Sequence, residues 1–310
     1  MRELVDAVAQ AVSGGASGAE LAPAKINLAL HVVSRRTDGY HLIDSLVVFA
    51  DYADLVSAVP SPGRQVELTL DGHFANELDL LSRPRDNLVV RAAEALIGEA
   101  GKKRKVPPTQ LVLTKRIPIG AGLGGGSADA AATLRLLNRR WGLGLDDVRL
   151  GKIGLNLGAD VPMCLMPKPV IARGIGERLT PVIGMPRLPV VLAHPSIPLS
   201  TTAVYARLDH AERSPLPPMP KRFDSVIAFA IWLRQTRNDL SEPAKAETGL
   251  AAAAVKALSS DPGCLFARMS GSGAAAFGIF PKLSTAEKAA ERLRHKRPNW
   301  WVVAVETIGS

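Results

Sequence analysis

The run Pro118-Ile119-Gly120-Ala121-Gly122-Leu123-Gly124-Gly125-Gly126-Ser127-Ala128 holds five glycines in seven residues and leads directly into an Ala/Leu-rich segment of helical period. Such a density between an expected strand (residues 110–115) and an expected helix (residues 127–138) exceeds what a plain connecting loop needs. Glycine lets backbone amides approach a phosphate closely, and a helix start adds four unpaired N–H groups and about half a positive charge. Phosphate binding is therefore the expected use. Gly120, Gly122 and Gly125 match the dinucleotide fingerprint letter for letter. That motif, however, follows its strand at once and is answered by an acidic residue about 20 positions on, at the end of the next strand. Here Arg116-Ile117-Pro118 intervenes, and the segment after the helix is again helical in pattern. No lysine follows the glycines, which excludes a P-loop. A third kind of nucleotide loop is required.

Two further places have residues suited to chemistry. In Lys25-Ile26-Asn27-Leu28-Ala29-Leu30-His31-Val32 the even positions are all aliphatic, so the period of two predicts a strand with Lys25 and Asn27 on the face opposite the core. Taken alone, that face reads as a solvated outer one. In Leu157-Gly158-Ala159-Asp160-Val161-Pro162, an aspartate sits in a Gly-flanked turn before an apolar run. Such a carboxylate can accept the proton of an attacking hydroxyl in phosphoryl transfer, or simply stabilise the turn. A second small-residue loop, Met269-Ser270-Gly271-Ser272-Gly273, reads either as a tight turn or as another phosphate-facing surface.

Composition bounds the rest. At 310 residues, 47% apolar and 22% charged, the chain has globular usage and length for roughly two domains. Its two cysteines, Cys164 and Cys264, supply neither a disulfide framework nor a Cys-rich zinc site, which fits a cytoplasmic protein, with no metal site expected among its side chains. No apolar stretch is long enough for a membrane helix, so no membrane partner is expected. The first twenty residues lack the features of a secretory or transit signal. They read as a flexible leader around Ser13-Gly14-Gly15-Ala16-Ser17-Gly18. The net charge of +9 raises nucleic acid as a partner. The densest basic run, Lys102-Lys103-Arg104-Lys105, reads instead as a solvated loop, and aromatics are only 5%. Nucleic acid is accordingly not expected as a partner, whereas a basic field also suits polyanionic small-molecule substrates.

The patterning predicts strands over 25–32, 42–50, 55–59, 66–70, 110–115, 170–173, 190–194, 265–269, 274–280 and 300–305. Helices are expected over 88–100 with Asn87 as N-cap, and over 127–138, 147–157, 201–208, 223–237 and 250–258. A last helix is expected to open on a capping box, Ser284-Thr285-Ala286-Glu287. Early hairpins and later helices beside a sheet predict α+β architecture.

In this order, the strand with Lys25, the glycine-rich loop and the later Ser-Gly loop resemble the three motifs of the GHMP kinase superfamily. Within it, Ala22-Pro23-Ala24-Lys25-Ile26-Asn27-Leu28, Arg36-Thr37-Asp38-Gly39-Tyr40-His41, Gly124-Gly125-Gly126-Ser127, residues 157–162 and Ser200-Thr201 with Tyr205 are similar to the branch acting on a cytidine diphosphate-linked methylerythritol. The resemblance runs from about Leu21 to the C-terminus, and its Asp-Gly-Tyr-His segment is the most specific part.

The resemblance implies a two-domain GHMP kinase fold. A ribosomal protein S5 domain 2-like N-terminal domain would span residues 21–168 and a ferredoxin-like C-terminal domain 169–310, after a leader of residues 1–20. It implies transfer of the γ-phosphoryl of ATP, with Mg²⁺, to the 2-hydroxyl of that small-molecule substrate, in the non-mevalonate route to isoprenoid precursors, by a monomer or weak homodimer. Asp160 matches the general base and Lys25 the cation beside the acceptor hydroxyl. Pro118, Ile119, Gly120, Ala121, Gly122, Leu123, Gly124, Gly125, Gly126, Ser127 and Ala128 match the ATP loop. Asn27, Tyr40, His41 and Tyr205 match the positions that hold the cytidine end. Ala121 stands where the pattern has a glycine, and Ala128 where it often has a serine. Kinases for mevalonate or homoserine, which have no base to stack, are the nearest alternative. A non-catalytic module would be expected to lose Lys25, Asp160 or the loop.

Overall fold

The computed structural model describes residues 18–63, 66–81, 83–101, 105–209 and 212–309. Most of the expected leader, and three of the four residues of the Lys102–Lys105 run, lie outside them. The chain forms two compact units. The first comprises the described residues up to Ala24, Tyr52–Ile119 and Gly124–Met166; the second comprises Lys25–Asp51, Gly120–Leu123 and the residues from Pro167 onward. The change of unit after Met166 falls beside the expected boundary at 168/169, but two earlier segments group with the second unit.

The elements in chain order are strands β1 (Ala19–Arg35), β2 (His41–Pro60) and β3 (Val66–Asp71), and helices α1 (Ala75–Leu81) and α2 (Leu88–Ala100). Strand β4 (Thr109–Thr114) is followed by helices α3 (Gly125–Arg140), α4 (Asp147–Leu157) and α5 (Val161–Leu165). Then come β5 (Val170–Gly174), β6 (Arg178–Pro181), β7 (Pro189–His194), α6 (Thr201–Ala206), α7 (Val226–Leu233), α8 (Ser241–Glu247) and α9 (Gly249–Ser259). Strands β8 (Phe266–Met269) and β9 (Ala276–Ile279), helix α10 (Leu283–Lys296) and strand β10 (Trp301–Glu306) complete the fold. Among the described residues no helix is long and apolar enough to cross a membrane.

In the first unit the C-terminal half of β2 pairs antiparallel with β4, with Leu55 opposite Thr114. Strand β4 pairs parallel with β3, with Val66 opposite Thr109. Helix α2 starts where expected, because the Asn87 side chain accepts from the Val89 amide at 2.9 Å, and it ends at Gly101, whose φ is +66°. Helix α3 buries Ala128, Ala130, Ala131, Ala132, Leu134 and Leu137. It begins at Gly125, two residues before the expected start, so the last glycines of the loop form its first turn.

In the second unit the N-terminal half of β2 pairs antiparallel with β5, and β5 with β6. The remaining strands form a sheet in the order β10-β7-β9-β8, antiparallel throughout. Read along the chain as β7-α9-β8-β9-α10-β10, this is the ferredoxin-like arrangement. Ala254 and Leu258 of α9 and Ala286, Ala289, Ala290 and Leu293 of α10 pack with Val191, Ala193, Ala276 and Val302 of the sheet.

Three local expectations are corrected. The two strands expected over 42–50 and 55–59 are one continuous β2. Helix α7 stops at Leu233 rather than at 237. The backbone of Arg237 and Asp239 is bonded instead to Leu30 of β1, with Leu30 N donating to Arg237 O and Asp239 N to Leu30 O, both at 2.9 Å. The expected capping box does not form, because α10 starts two residues before a helix capped by Ser284 would, with Lys282 at its N-cap and no side-chain cap. Ser284 therefore falls inside the first turn.

Candidate active site

In the second unit, β1 is covered on both faces. Ile26, Leu28, Leu30 and Val32 are buried as their period requires, but Lys25, Asn27, Ala29 and His31 are buried too. The face expected to be solvated is thus interior. The Lys25 ammonium donates to Asn27 Oδ1 at 2.8 Å. The Asn27 amide nitrogen donates to Ser45 Oγ at 2.8 Å, and that hydroxyl donates to the Ala29 carbonyl at 2.7 Å. This chain of donors fixes the orientation of the Asn27 amide, with its oxygen turned to the cation.

Residues Gly120–Leu123 pack against the same strand and against the Ser270–Gly273 loop. Lys25 N donates to Leu123 O at 2.8 Å, and Ala275 N donates to Ala121 O at 3.0 Å. Ser270 Oγ accepts from Asn27 N at 3.1 Å and donates to Gly122 O at 3.2 Å. One hydroxyl therefore ties three segments that are far apart in sequence. Gly273 N donates to Ser270 O at 3.0 Å, so the Ser-Gly loop is a tight turn. Asn238, which the sequence reading passed over, donates to the carbonyls of Met269 at 3.0 Å and Gly271 at 2.8 Å and accepts from Leu240 N. Its Asn-Asp pair after a helix carries only a generic turn signal.

Of the residues expected to hold the cytidine end, His41 and Tyr205 face one another with ring centroids 5.2 Å apart and planes tilted by 37°. Tyr40 is 59% exposed. Tyr205 lies on α6, whose start Ser200 caps by accepting from Ala203 N. Thr201 and Ser272 hydroxyls are bonded at 2.8 Å.

The first unit holds Pro118, Ile119, Gly124–Ala128 and Asp160. Gly124, at φ +65°, occupies the N-cap of α3 and brings no side chain to cap the amides of the first turn. Ser127 stands in that turn; Ala128 is buried, and its amide bonds Gly124 O at 2.9 Å. Asp160, half-buried, sits at the N-cap of α5 but makes no capping bond. Ala159 and Asp160 form the expected turn, and it leads directly into α5, with Pro162 in the first turn.

Beneath the two ends of the loop lies a charge cluster that the sequence reading missed. The Lys115 ammonium donates to Asp54 Oδ2 at 2.5 Å and Asp129 Oδ2 at 2.8 Å, and all three side chains are buried. Asp54 Oδ1 accepts from the amides of Arg116 at 2.5 Å and Ile117 at 2.8 Å. Burial favours the neutral forms, but the Asp129 and Asp54 carboxylates outweigh it at Lys115 and hold its ammonium above its ordinary value. Burial drives the Asp129 carboxyl well above its usual range; Lys115 opposes this and the Asp54 charge adds to it.

Comparison with known proteins identifies the family. Residues 87–168 match the GHMP kinases N terminal domain and residues 227–299 the GHMP kinases C terminal domain. The 4-diphosphocytidyl-2-C-methyl-D-erythritol kinase of Chelativorans sp. (strain BNC1) is 45% identical over 290 residues, covering 94% of this chain and 96% of that protein. The protein of the same name from Mesorhizobium japonicum is 46% identical over 291 residues, 93% and 95% of the two chains. A crystal structure of 4-(cytidine 5'-diphospho)-2C-methyl-D-erythritol kinase superposes with a TM-score of 0.71 at 32% identity, covering 94% of this chain and all of that one. A homoserine kinase from Cytophaga hutchinsonii, at TM-score 0.63 and 18% identity over 94% of each chain, shares the fold. Likeness at this level over nearly the whole length makes the chain a member of the 4-diphosphocytidyl-2-C-methyl-D-erythritol kinase family, within the GHMP kinases.

Proposed function

We propose that the chain transfers the γ-phosphoryl group of ATP to the 2-hydroxyl of 4-diphosphocytidyl-2-C-methyl-D-erythritol, giving the 2-phosphate and ADP, in the non-mevalonate route to isoprenoid precursors. The observation that carries this reading is the 45–46% identity, over more than nine tenths of the chain, to relatives named for that kinase.

Residue roles follow from chemistry. The amides of the glycine-rich loop and of the first turn of α3 bind the triphosphate, and Ser127 adds a hydroxyl. Asp160 accepts the proton of the 2-hydroxyl as its oxygen attacks phosphorus. Lys25, held by Asn27, stabilises the alkoxide character that develops on that oxygen. Tyr40, His41 and Tyr205 hold the cytosine, with Asn27 contributing a polar contact.

Among the described residues no three His, Cys, Asp or Glu side chains gather as a metal site. A magnesium ion would be held mainly by the phosphates of ATP, with the Ser127 hydroxyl as the candidate protein oxygen. Bound there, the ion would offset phosphate charge. The chain works in the cytoplasm as a monomer or weak homodimer, with the small molecule and not nucleic acid as its partner.

The test is ADP release from Mg-ATP against 4-diphosphocytidyl-2-C-methyl-D-erythritol, its unphosphorylated erythritol relative, mevalonate, homoserine and galactose. Turnover of the cytidine compound alone is expected. Turnover of mevalonate or homoserine instead would overturn the cytidine pocket, and ATP binding without turnover would overturn the kinase.

A further inference from the structure

Burying an ion costs several kcal/mol, and an apolar trio of the same volume serves stability as well or better. The Asp54–Lys115–Asp129 cluster is therefore poorly explained by stability alone, whereas its attachments have a direction. Asp54 comes from β2, Lys115 directly follows β4, and Asp129 lies just beyond the first turn of α3. Both oxygens of Asp54 are used: one receives the amides of Arg116 and Ile117, the two residues that lead into the loop, and the other receives Lys115. Lys115 in turn holds Asp129 on the helix into which the loop ends. A methyl group on Gly125, the first residue of that helix, would lie 3.2 Å from Lys115 Nζ and 3.5 Å from Asp54 Oδ2. The ammonium thus sits against the helix start itself. Asp129 Oδ1 is buried without a hydrogen-bond partner among the described residues, so that carboxylate is held by Lys115 rather than by a network of its own.

We propose that Asp54, Lys115 and Asp129 form a positioning clamp that sets the separation of the two ends of the ATP loop, and through it the fit of the loop amides to the triphosphate. The three residues do not touch substrate in this account; they act through the backbone of residues 116–117 and 125. The inference rests on the reading of Pro118–Ala128 as the ATP loop.

The test is a comparison of Asp129→Asn with the wild-type chain. The substitution is nearly isosteric and leaves the Lys115–Asp54 pair neutral, so folding is retained and is checked by thermal unfolding. Misplaced loop ends should raise both KM and Kd for ATP about tenfold while KM for the cytidine acceptor stays within about twofold. A second variant, Asp54→Asn, keeps an oxygen for the Arg116 and Ile117 amides but removes the charge that holds Lys115. It should give the same split. Unchanged ATP constants in either folded variant would overturn the clamp. An equal rise in both KM values would do the same, and failure of both variants to fold would leave the cluster a stabilising role only. A wild-type chain that neither binds nor turns over ATP would instead sink the functional reading, an outcome visible before any variant is made.

Discussion

Gly122 lies so close beneath Ser270 that a methyl group on its Cα would stand 2.5 Å from the Ser270 carbonyl oxygen, with Gly273 O and N at 2.8 and 2.9 Å. Its φ of +75° adds a second reason for glycine. No side-chain motion relieves this contact, because every neighbour is backbone. Gly122→Ala must therefore separate the two loops or strain one of them.

For Gly122→Ala the expected outcome is a loss of about 1–2 kcal/mol from the left-handed backbone alone, together with a raised KM for ATP. Thermal unfolding and steady-state kinetics check it. An alanine variant with the wild-type midpoint and KM would show that the Ser270–Gly273 turn yields freely.

Asp160 makes no capping bond to the amides of α5, so its carboxylate is not what starts that helix, and the proposed role predicts a loss in chemistry. Asp160→Asn is expected to lose about 10²–10⁴ in kcat, the span of a positioned general base. Single-turnover measurement with saturating ATP separates this from slow product release. Near-normal turnover would take Asp160 out of the role.

Tyr40 is largely exposed and is free of any duty to the core, so its truncation should report on ligand alone. A stacked base is worth about 1–3 kcal/mol, so Tyr40→Ala should raise KM for the cytidine acceptor about 5- to 150-fold and leave that for ATP unchanged. Weaker ATP binding with an unaltered acceptor KM would show that the ring serves the nucleotide instead.

What the sequence disclosed follows from how local each signal is. Asn87 and Gly101 bracket α2 because a cap is decided within three residues. The alternation in β1 located the strand, but it could not say that Lys25 and Asn27 are buried as well. A second layer on that face is assembled from Ser45 and Ser270, which are far away in the chain. The charge cluster was hidden for the same reason, though one trace of it is visible. Thr109, Leu111 and Leu113 face inward along β4, and extending that period one step puts Lys115 in the core. Asp129, set in the Ala-rich buried face of α3, is its counterpart. Each looks like an isolated misfit until the fold brings Asp54 between them and the loop. The capping box at Ser284 failed in the opposite way: the letters were right and the helix began two residues earlier.

His31 provides a pH test of the second unit. Its Nε2 accepts from the Arg237 amide at 3.0 Å and its Nδ1 lies 3.1 Å from Ser214 O, so the ring is neutral with its proton on Nδ1. A second proton would point at the Arg237 amide and abolish that bond. Burial is the main cause that lowers the His31 pKa below 6.5; the Ser214 bond and Asp239 oppose it, and Arg237 adds to it. His194 is driven by burial to about 4. A histidine whose folded value is depressed contributes stability that is complete above its unfolded value and is lost as pH falls through the folded one. The denaturant midpoint should therefore fall from pH 7.5 to pH 5, with His194 extending the loss toward pH 4. In His31→Gln the midpoint at pH 7.5 is expected to be lower by about 1 kcal/mol of stability, the worth of one hydrogen bond, and its decline toward pH 5 shallower. Because Asp129 is present in both chains, the difference between the two curves isolates the imidazole. Parallel curves would show that His31 takes up its proton inside the folded chain without cost.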